Sequence, residues 1–258
     1  MIKVVVVGAK GRMGSEVVKA VAAASDMELV GACDIVGVGE ELPEAPGIFV
    51  ERDLQAVLTR CKPNVMVDFA KPYNLDFTRL AMEHGVVPII GTTGQTQEQL
   101  AEIEQLTELT GTAAMVIPNF AIGAVLMMKF AAQAAVYMPD VEIIELHHEK
   151  KVDAPSGTSI MTAQMIDAAR KAADVKAVVP AGSPDDRARG DEKCGVRIHS
   201  VRLPGLVAHQ EVIFGGLGQV LSIRHDSLDR TSFMPGVLLA IRRASQAKGL
   251  TYGLDKLL

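Results

Sequence analysis

The chain has 258 residues, enough for one large domain or two moderate ones, each with a proper core. Its net charge of −5, from 31 acidic against 26 basic residues, argues against a surface that coats nucleic acid. Apolar residues make up 48% and charged residues 22%, ordinary for a soluble α/β protein, and without Trp the core must rest on Val, Ile, Leu, Ala and Met.

A continuous apolar, β-branched run at Ile2–Val7 opens the chain, which predicts a strand buried on both faces and leaves no room for a signal peptide. Gly11–Ala24 follows with helical spacing through Met13, Val17, Val18, Val21 and Ala22. Glu28–Cys33 reads as a second strand ending at Asp34. A Gly/Pro-rich connection from Gly37 to Gly47 then leads to a short strand at Ile48–Val50. Further strands are expected at Asn64–Phe69, Val86–Ile90 and Ala113–Ile117, with helices at Leu75–His84 and Gln97–Leu109 between them. Strand and helix alternating in this way predict an α/β, Rossmann-like, doubly wound parallel sheet.

After Asn119 the rhythm changes. A helix is expected at Ala121–Tyr137, a strand at Val141–His148 and a helix at Ser156–Ala173. Lys129 and Gln133 interrupt the apolar run in the first of these, which marks a buried helix and not a membrane span. Strand-like runs at Val196–Leu203, Val207–Phe214 and Gln219–His225, separated by Pro204-Gly205 and Gly215-Gly216, predict an α+β domain with a mixed or antiparallel sheet. The charged stretch Pro184–Lys193 reads as a mobile loop, and Asp229–Ala247 as a last helix. These elements divide the chain into a first domain of residues 1–118 and 228–258 and a second of residues 119–227. Cys33, Cys61 and Cys194 form no CxxC pair and no Cys/His cluster, which predicts reduced thiols in a cytosolic protein, with neither a disulfide framework nor a zinc site.

Gly8-Ala9-Lys10-Gly11-Arg12-Met13-Gly14 lies between the first strand and the first helix. Its glycines permit a tight turn and let the backbone approach a pyrophosphate at the helix N-terminus, the context of a dinucleotide site. Asp34, at the end of the second strand, is placed to accept hydrogen bonds from an adenosine ribose. Asp34 favours NADH by repelling a 2′-phosphate, whereas Lys10 or Arg12 offers that phosphate a cation, so NADH and NADPH both stay open. Gly91-Thr92-Thr93-Gly94 and Pro118-Asn119-Phe120 follow predicted parallel strands, at the ends where such sheets bind ligands.

The segment Glu145-Leu146-His147-His148-Glu149-Lys150-Lys151-Val152-Asp153-Ala154-Pro155-Ser156-Gly157-Thr158 carries the densest chemistry. If the strand extends through them, His147 and His148 point to opposite faces and diverge, which disfavours a shared metal ion. Lys151 lies just past the strand, within reach of a pocket shared with either histidine. The helix start at Gly157-Thr158 offers amide hydrogens and a positive dipole end to a carboxylate. On residue chemistry alone, two packing histidines are the alternative.

In these motifs the chain resembles the 4-hydroxy-tetrahydrodipicolinate reductase (dihydrodipicolinate reductase) family over essentially its whole length. The resemblance rests on GAKGRMG at 8–14, GTTG at 91–94, PNF at 118–120 and ELHHEKKVDAPSGT at 145–158, with Arg202, His209, His225, Arg230 and Phe233 fitting further along. It implies NAD(P)H-dependent reduction of a cyclic imine dicarboxylate in lysine and diaminopimelate biosynthesis. The implied assembly is a homotetramer formed through the second-domain sheets. It implies cofactor contacts from Gly8, Ala9, Lys10, Gly11, Arg12, Met13, Asp34, Gly91, Thr92, Thr93, Ile117, Pro118, Asn119 and Phe120. It further implies His147 and Lys151 as acid/base residues, with His148, Gly157 and Thr158 binding substrate. Two departures stand out: Ile35 follows Asp34 where many members carry a base, and Gln219 stands where Glu is common. The rival readings are another two-domain dehydrogenase of amino-acid metabolism, which has no need of the 145–158 segment, and a non-catalytic dinucleotide-binding redox sensor.

Overall fold

Val4, Val5, Val6 and Val7 are all buried, so the strand they form is covered on both faces, as the centre of a parallel sheet requires. The computed structural model of the protein describes residues 1–177 and 187–258. It divides into two units, Met1–Phe120 with Phe233–Leu258, and Ala121–Ser232.

Along the chain the elements begin β1 (Ile2–Val7), α1 (Gly14–Ala23), β2 (Met27–Cys33), β3 (Val50–Glu51), α2 (Leu54–Cys61) and β4 (Val65–Asp68). They continue with α3 (Leu75–Glu83), β5 (Val87–Ile90), α4 (Gln97–Thr110), β6 (Ala114–Val116), α5 (Ile122–Ala134) and β7 (Asp140–His147). After α6 (Gly157–Ala172) come β8 (Asp191–Lys193), β9 (Val196–Arg202), β10 (Ala208–Gly216), β11 (Gln219–Ser227), α7 (Met234–Arg243) and β12 (Leu250–Tyr252).

In the first unit seven parallel strands pair in the order β12-β6-β5-β4-β1-β2-β3. Val5, Val7, Cys33 and Met66 pack against Leu54, Val57 and Leu58 of α2 and Ala81 of α3. The chain runs outward from β1 through β2 to β3, then resumes on the other side at β4. The carboxyl ends of β1 and β4 therefore flank the switch point, where open α/β sheets bind ligands.

In the second unit the order is β11-β10-β7-β9-β8. The sheet is mixed, because β7 runs antiparallel to β10 and parallel to β9. Val141, Ile143 and Glu145 of β7 are buried, alternating with half-buried Asp140, Glu142 and Ile144. Apolar cover for the buried face comes from α5 and α6, which pack together and reach strands β8 to β11.

Several elements differ from the sequence-based expectation. The first helix starts at Gly14 and not Gly11, because residues 8–13 are used by a turn in which Gly11 N–H donates to Gly8 O (3.0 Å). The third strand is Val50–Glu51, not Ile48–Val50, since Phe49 bridges back to Glu41. Helix α2 and strand β12 are additional to the expected elements. The former is capped by the Asp53 side chain accepting from Ala56 N–H (3.1 Å), and the latter pairs with β6 at the sheet edge. The expected loop at Pro184–Lys193 is corrected over its described part. Arg187–Arg189 is a 3-10 turn and Asp191–Lys193 pairs antiparallel with β9 across a turn at Cys194-Gly195; residues 184–186 lie outside the described residues. The expected Asp229–Ala247 helix is helical only over Met234–Arg243, with 3-10 turns at Arg230–Phe233 and Ala244–Gln246 on either side. Among the described residues no helix is long and apolar enough to cross a membrane.

Candidate active site

Because all strands of the first sheet run the same way, everything that follows a strand gathers at one edge. The Gly8–Met13 turn follows β1, Asp34 follows β2, Gly91–Thr93 follow β5 and Ile117–Phe120 follow β6. At Gly8 and Gly14 the turn leaves no space for a side chain. Gly8 has φ +76°, and a Cβ there would lie 2.8 Å from Ala70 N; a Cβ at Gly14 would lie 1.9 Å from Gly8 O. A pyrophosphate at a helix N-terminus requires such a bare backbone turn, so these residues fit a dinucleotide cofactor. Asp34 is tied to this turn: its carboxylate accepts from Lys10 N–H (2.8 Å) and from Val36 N–H (3.0 Å). The Lys10 ammonium pairs with Glu40 at 2.7 Å, while Arg12 is exposed.

Sequence reasoning misses three further residues at this edge. The Phe69 ring would be 2.3 Å from a Cβ at Gly91, and it stacks obliquely on Phe120 with centroids 5.6 Å apart. Ala70 O accepts from the buried Thr92 hydroxyl at 2.8 Å. Asp68 is fully buried at the end of β4, accepts from Ala70 N–H at 2.8 Å through Oδ1, and has no partner for Oδ2 among the described residues. Burial pushes its carboxyl up to about 6 against the lowering effect of the Ala70 bond.

The second unit holds the other group. Strand β7 ends at His147, so His148 belongs to the exposed turn beyond it, where its Nδ1 accepts from Lys150 N–H (3.2 Å). The two histidines therefore part because the strand stops, not because they alternate on it. The His147 ring bonds through Nδ1 to Glu145 Oε2 at 2.5 Å. Glu145 is fully buried, two residues earlier on the same face of the strand. Arg202, paired with His147 across β7 and β9, donates to both Glu145 oxygens at 2.9 and 2.8 Å. Arg202 also donates to Asp153 O at 2.7 Å, and the Asp153 carboxylate accepts twice from Lys151 Nζ at 2.8 Å. His147 and Lys151 are thus the two ends of one chain of polar contacts.

Burial alone would push the Glu145 carboxyl up, but hydrogen bonds from His147, Arg202 and Ser200 outweigh it and hold it at about 2. Asp153 is held below the usual carboxylate range chiefly by Lys151, against a smaller effect of burial. The start of α6 is anchored to this network. Ser156 N–H donates to Glu145 Oε1 (3.3 Å), and the Ser156 hydroxyl caps the helix by accepting from Ser159 N–H (3.2 Å). Behind it, Gln210 accepts from the Ser159 hydroxyl (2.7 Å) and donates to the Thr162 hydroxyl (2.8 Å), so this buried polar layer is paired. Gly157 and Thr158, the first residues of α6, sit at the positive end of a helix whose cap is fixed in place. Among the described residues no group of His, Cys, Asp and Glu is arranged to hold a metal ion.

Comparison with known proteins adds to this geometry. Residues 2–120 match the model for the N-terminus of dihydrodipicolinate reductase, and residues 123–258 match that for its C-terminus. A 4-hydroxy-tetrahydrodipicolinate reductase from Syntrophomonas wolfei is 50% identical over 266 residues, covering 99% of this chain and 98% of that protein. One from Enterococcus faecalis is also 50% identical over 266 residues, covering both chains completely. The solved structure of a dipicolinate-bound dihydrodipicolinate reductase from Paenisporosarcina sp. TG-14 superposes with TM-score 0.87 at 44% identity over 100% of each chain. A sheet edge built around a bare glycine turn and a buried Glu-His-Arg cluster are thus set in a chain matched from end to end. It belongs to the dihydrodipicolinate reductase family.

Proposed function

We propose that the chain reduces 4-hydroxy-tetrahydrodipicolinate with NADH or NADPH, within lysine and diaminopimelate biosynthesis. The observation that carries this reading is the run of contacts from Lys151 through Asp153, Arg202 and Glu145 to His147, beside the N-terminus of α6. Full-length identity to proteins bearing that reductase name, and a relative that binds the planar dicarboxylate dipicolinate, support the same substrate class.

The cofactor is assigned to Gly8–Met13, Asp34, Gly91–Thr93 and Ile117–Phe120 at the carboxyl edge of the first sheet. The nicotinamide, when bound, supplies the hydride that attacks the conjugated, unsaturated ring of the substrate. The tasks left to the protein are to hold two carboxylates and to give one proton to the enamine carbon. Lys151, His148 and the first amides of α6 at Gly157 and Thr158 are assigned to the carboxylates, since a cation and a helix N-terminus both attract anions. His147 and Lys151 are assigned as the proton-handling pair. Cys33, Cys61 and Cys194 are unpaired thiols, which supports a cytoplasmic setting. The face of the second sheet opposite α5 and α6 leaves Ile144 and Ile213 only partly buried, which supports association of second units into a homotetramer.

The test is steady-state oxidation of NADH and NADPH with enzymatically generated substrate. Variants His147→Gln and Lys151→Ala should each lower turnover by roughly 10²–10⁴ while leaving cofactor affinity intact. The double variant should cost less than the product of the singles if both serve one proton transfer. Full activity in both singles sinks the acid/base assignment, and failure of the unaltered protein to oxidise either cofactor sinks the whole reading.

A further inference from the structure

We propose that Glu145 and Arg202 are positioning residues that fix the tautomer of His147, so that the ring presents Nε2, and only Nε2, as its proton-delivering atom. This rests on the reading that His147 handles the proton, and it names what prepares that residue.

A carboxylate with no solvent contact must be matched by donors, or it takes up a proton. Glu145 is matched on every side. The Arg202 guanidinium meets it as a two-pronged fork at 2.9 and 2.8 Å, and Ser156 N–H approaches Oε1 at 3.3 Å. Arg202 is itself pinned by the carbonyls of Val201 (2.8 Å) and Asp153 (2.7 Å), so the fork cannot swing away. With two Arg202 N–H groups and Ser156 N–H converging on it, Glu145 stays ionised. An ionised carboxylate only accepts hydrogen bonds.

The hydrogen in the 2.5 Å contact between His147 Nδ1 and Glu145 Oε2 therefore sits on the ring nitrogen. In the neutral ring the lone pair is left on Nε2, and in the cationic ring the transferable proton is on Nε2. Giving up that proton leaves the ring in the tautomer that Glu145 already holds, with no rotation and no second proton movement. The charged groups around His147 are Glu145 on its own strand and Arg202 opposite on β9, with the Lys151–Asp153 pair reaching Arg202 from the following segment. Its partner on β10, Ala208, is uncharged. Glu145 is the carboxylate bonded to the ring.

A purely structural role is the competing account, because the same contacts staple β7, β9 and the start of α6. The experiment separates the two. In 15N-histidine-labelled protein, with the His147 signals assigned by comparison with His147→Gln, the neutral ring should carry its proton on Nδ1. A neutral ring protonated on Nε2 overturns the proposal without any change to Glu145. Glu145→Gln preserves shape and one acceptor while removing the charge. It should lower kcat by about 10²-fold or more and remove the Nδ1 tautomer preference, with NADH affinity retained. Arg202→Lys keeps a cation but loses the fork, and should weaken the Nδ1 tautomer preference and lower kcat by less than Glu145→Gln does. An unchanged Nδ1 tautomer population and unchanged kcat in variants that lose only thermal stability assign Glu145 to structure and overturn the proposal. Should His147→Gln be fully active, the reading beneath it fails instead, and the tautomer measurement still reports on Glu145 separately.

Discussion

Asp68 offers a direct test of the burial energetics, because a carboxyl sealed at a sheet edge must show itself in the pH dependence of stability. Its carboxyl lies at about 6 in the folded chain against 3.8 for the free group. The native state therefore binds this proton more tightly than the unfolded state, and the penalty for ionising Asp68 is absent at low pH. That penalty grows as pH rises from near 4 to near 6 and is constant above, where the gap between 3.8 and about 6 corresponds to ~3 kcal/mol. Asp68→Asn is the neutral isostere: it keeps the acceptor for Ala70 N–H and removes the charge, while its amide hydrogens inherit the unpartnered Oδ2 position. Leaving that donor unpaired costs about 1–2 kcal/mol, so at pH near 8 the variant should gain on the order of 1–2 kcal/mol net. The sharper observable is the difference between variant and parent. It should shrink by about 2 kcal/mol between pH near 8 and pH near 4.5 in urea unfolding, where carboxylates common to both cancel. A difference that stays constant over that range refutes the assignment of a raised Asp68 and the burial reasoning behind it.

Gly14→Ala should weaken NADH binding by at least about tenfold and cost roughly 1–3 kcal/mol, because the new methyl would sit 1.9 Å from Gly8 O; calorimetric binding and thermal unfolding measure both. On the proposed cofactor assignment, Asp34 would oppose a 2′-phosphate and Lys10 or Arg12 would attract it, although Glu40 already occupies the Lys10 ammonium. NADH should be used well and NADPH to within about tenfold, ~1.4 kcal/mol, in kcat/KM. A preference beyond about a hundredfold for either shows that one side of this balance is misjudged.

What could be read from the sequence follows the range of each interaction. The glycine turn and Asp34 are legible because the strand, the turn and the helix start are neighbours in the chain. Strand boundaries fall within a residue or two wherever an apolar run is bounded by polar or glycine residues, as at Ile2–Val7. Helix α2 escapes the sequence reading although Asp53, Leu54, Val57 and Leu58 carry a cap and helical spacing. It is short, and the Gly/Pro-rich connection before it points toward irregular structure. Strand β12 has three residues and owes its conformation to pairing with β6, a contact that no local pattern encodes. Glu145 is visible in principle, since two residues apart on a strand means the same face as His147. Arg202 is singled out only by the resemblance, because its place opposite His147 depends on the β7–β9 register across a separation in sequence of more than fifty residues. Asp68 hides inside a run that reads as a buried strand, which it is, and only its depth and its unpartnered oxygen set it apart.

The polar chain in the second unit has two halves of different burial, and that difference divides the labour between its ends. Glu145 is fully buried and shares two bonds with Arg202, so separating them would strand a charge in a site without water. The Lys151–Asp153 pair is solvated, with the Asp153 side chain 62% exposed and the Lys151 side chain 21% exposed. Exposed ion pairs are worth on the order of 0–1 kcal/mol, so an arriving carboxylate can take Lys151 from Asp153 at little cost. The rigid half suits a group that must deliver a proton from a fixed atom. The exchangeable half suits a cation that must leave one carboxylate to receive another. Counting formal charges, Glu145 and Asp153 balance Arg202 and Lys151, leaving the cluster neutral until the ring is protonated. On the proposed assignment a dicarboxylate would meet an exchangeable cation and a helix N-terminus, both of which attract an anion.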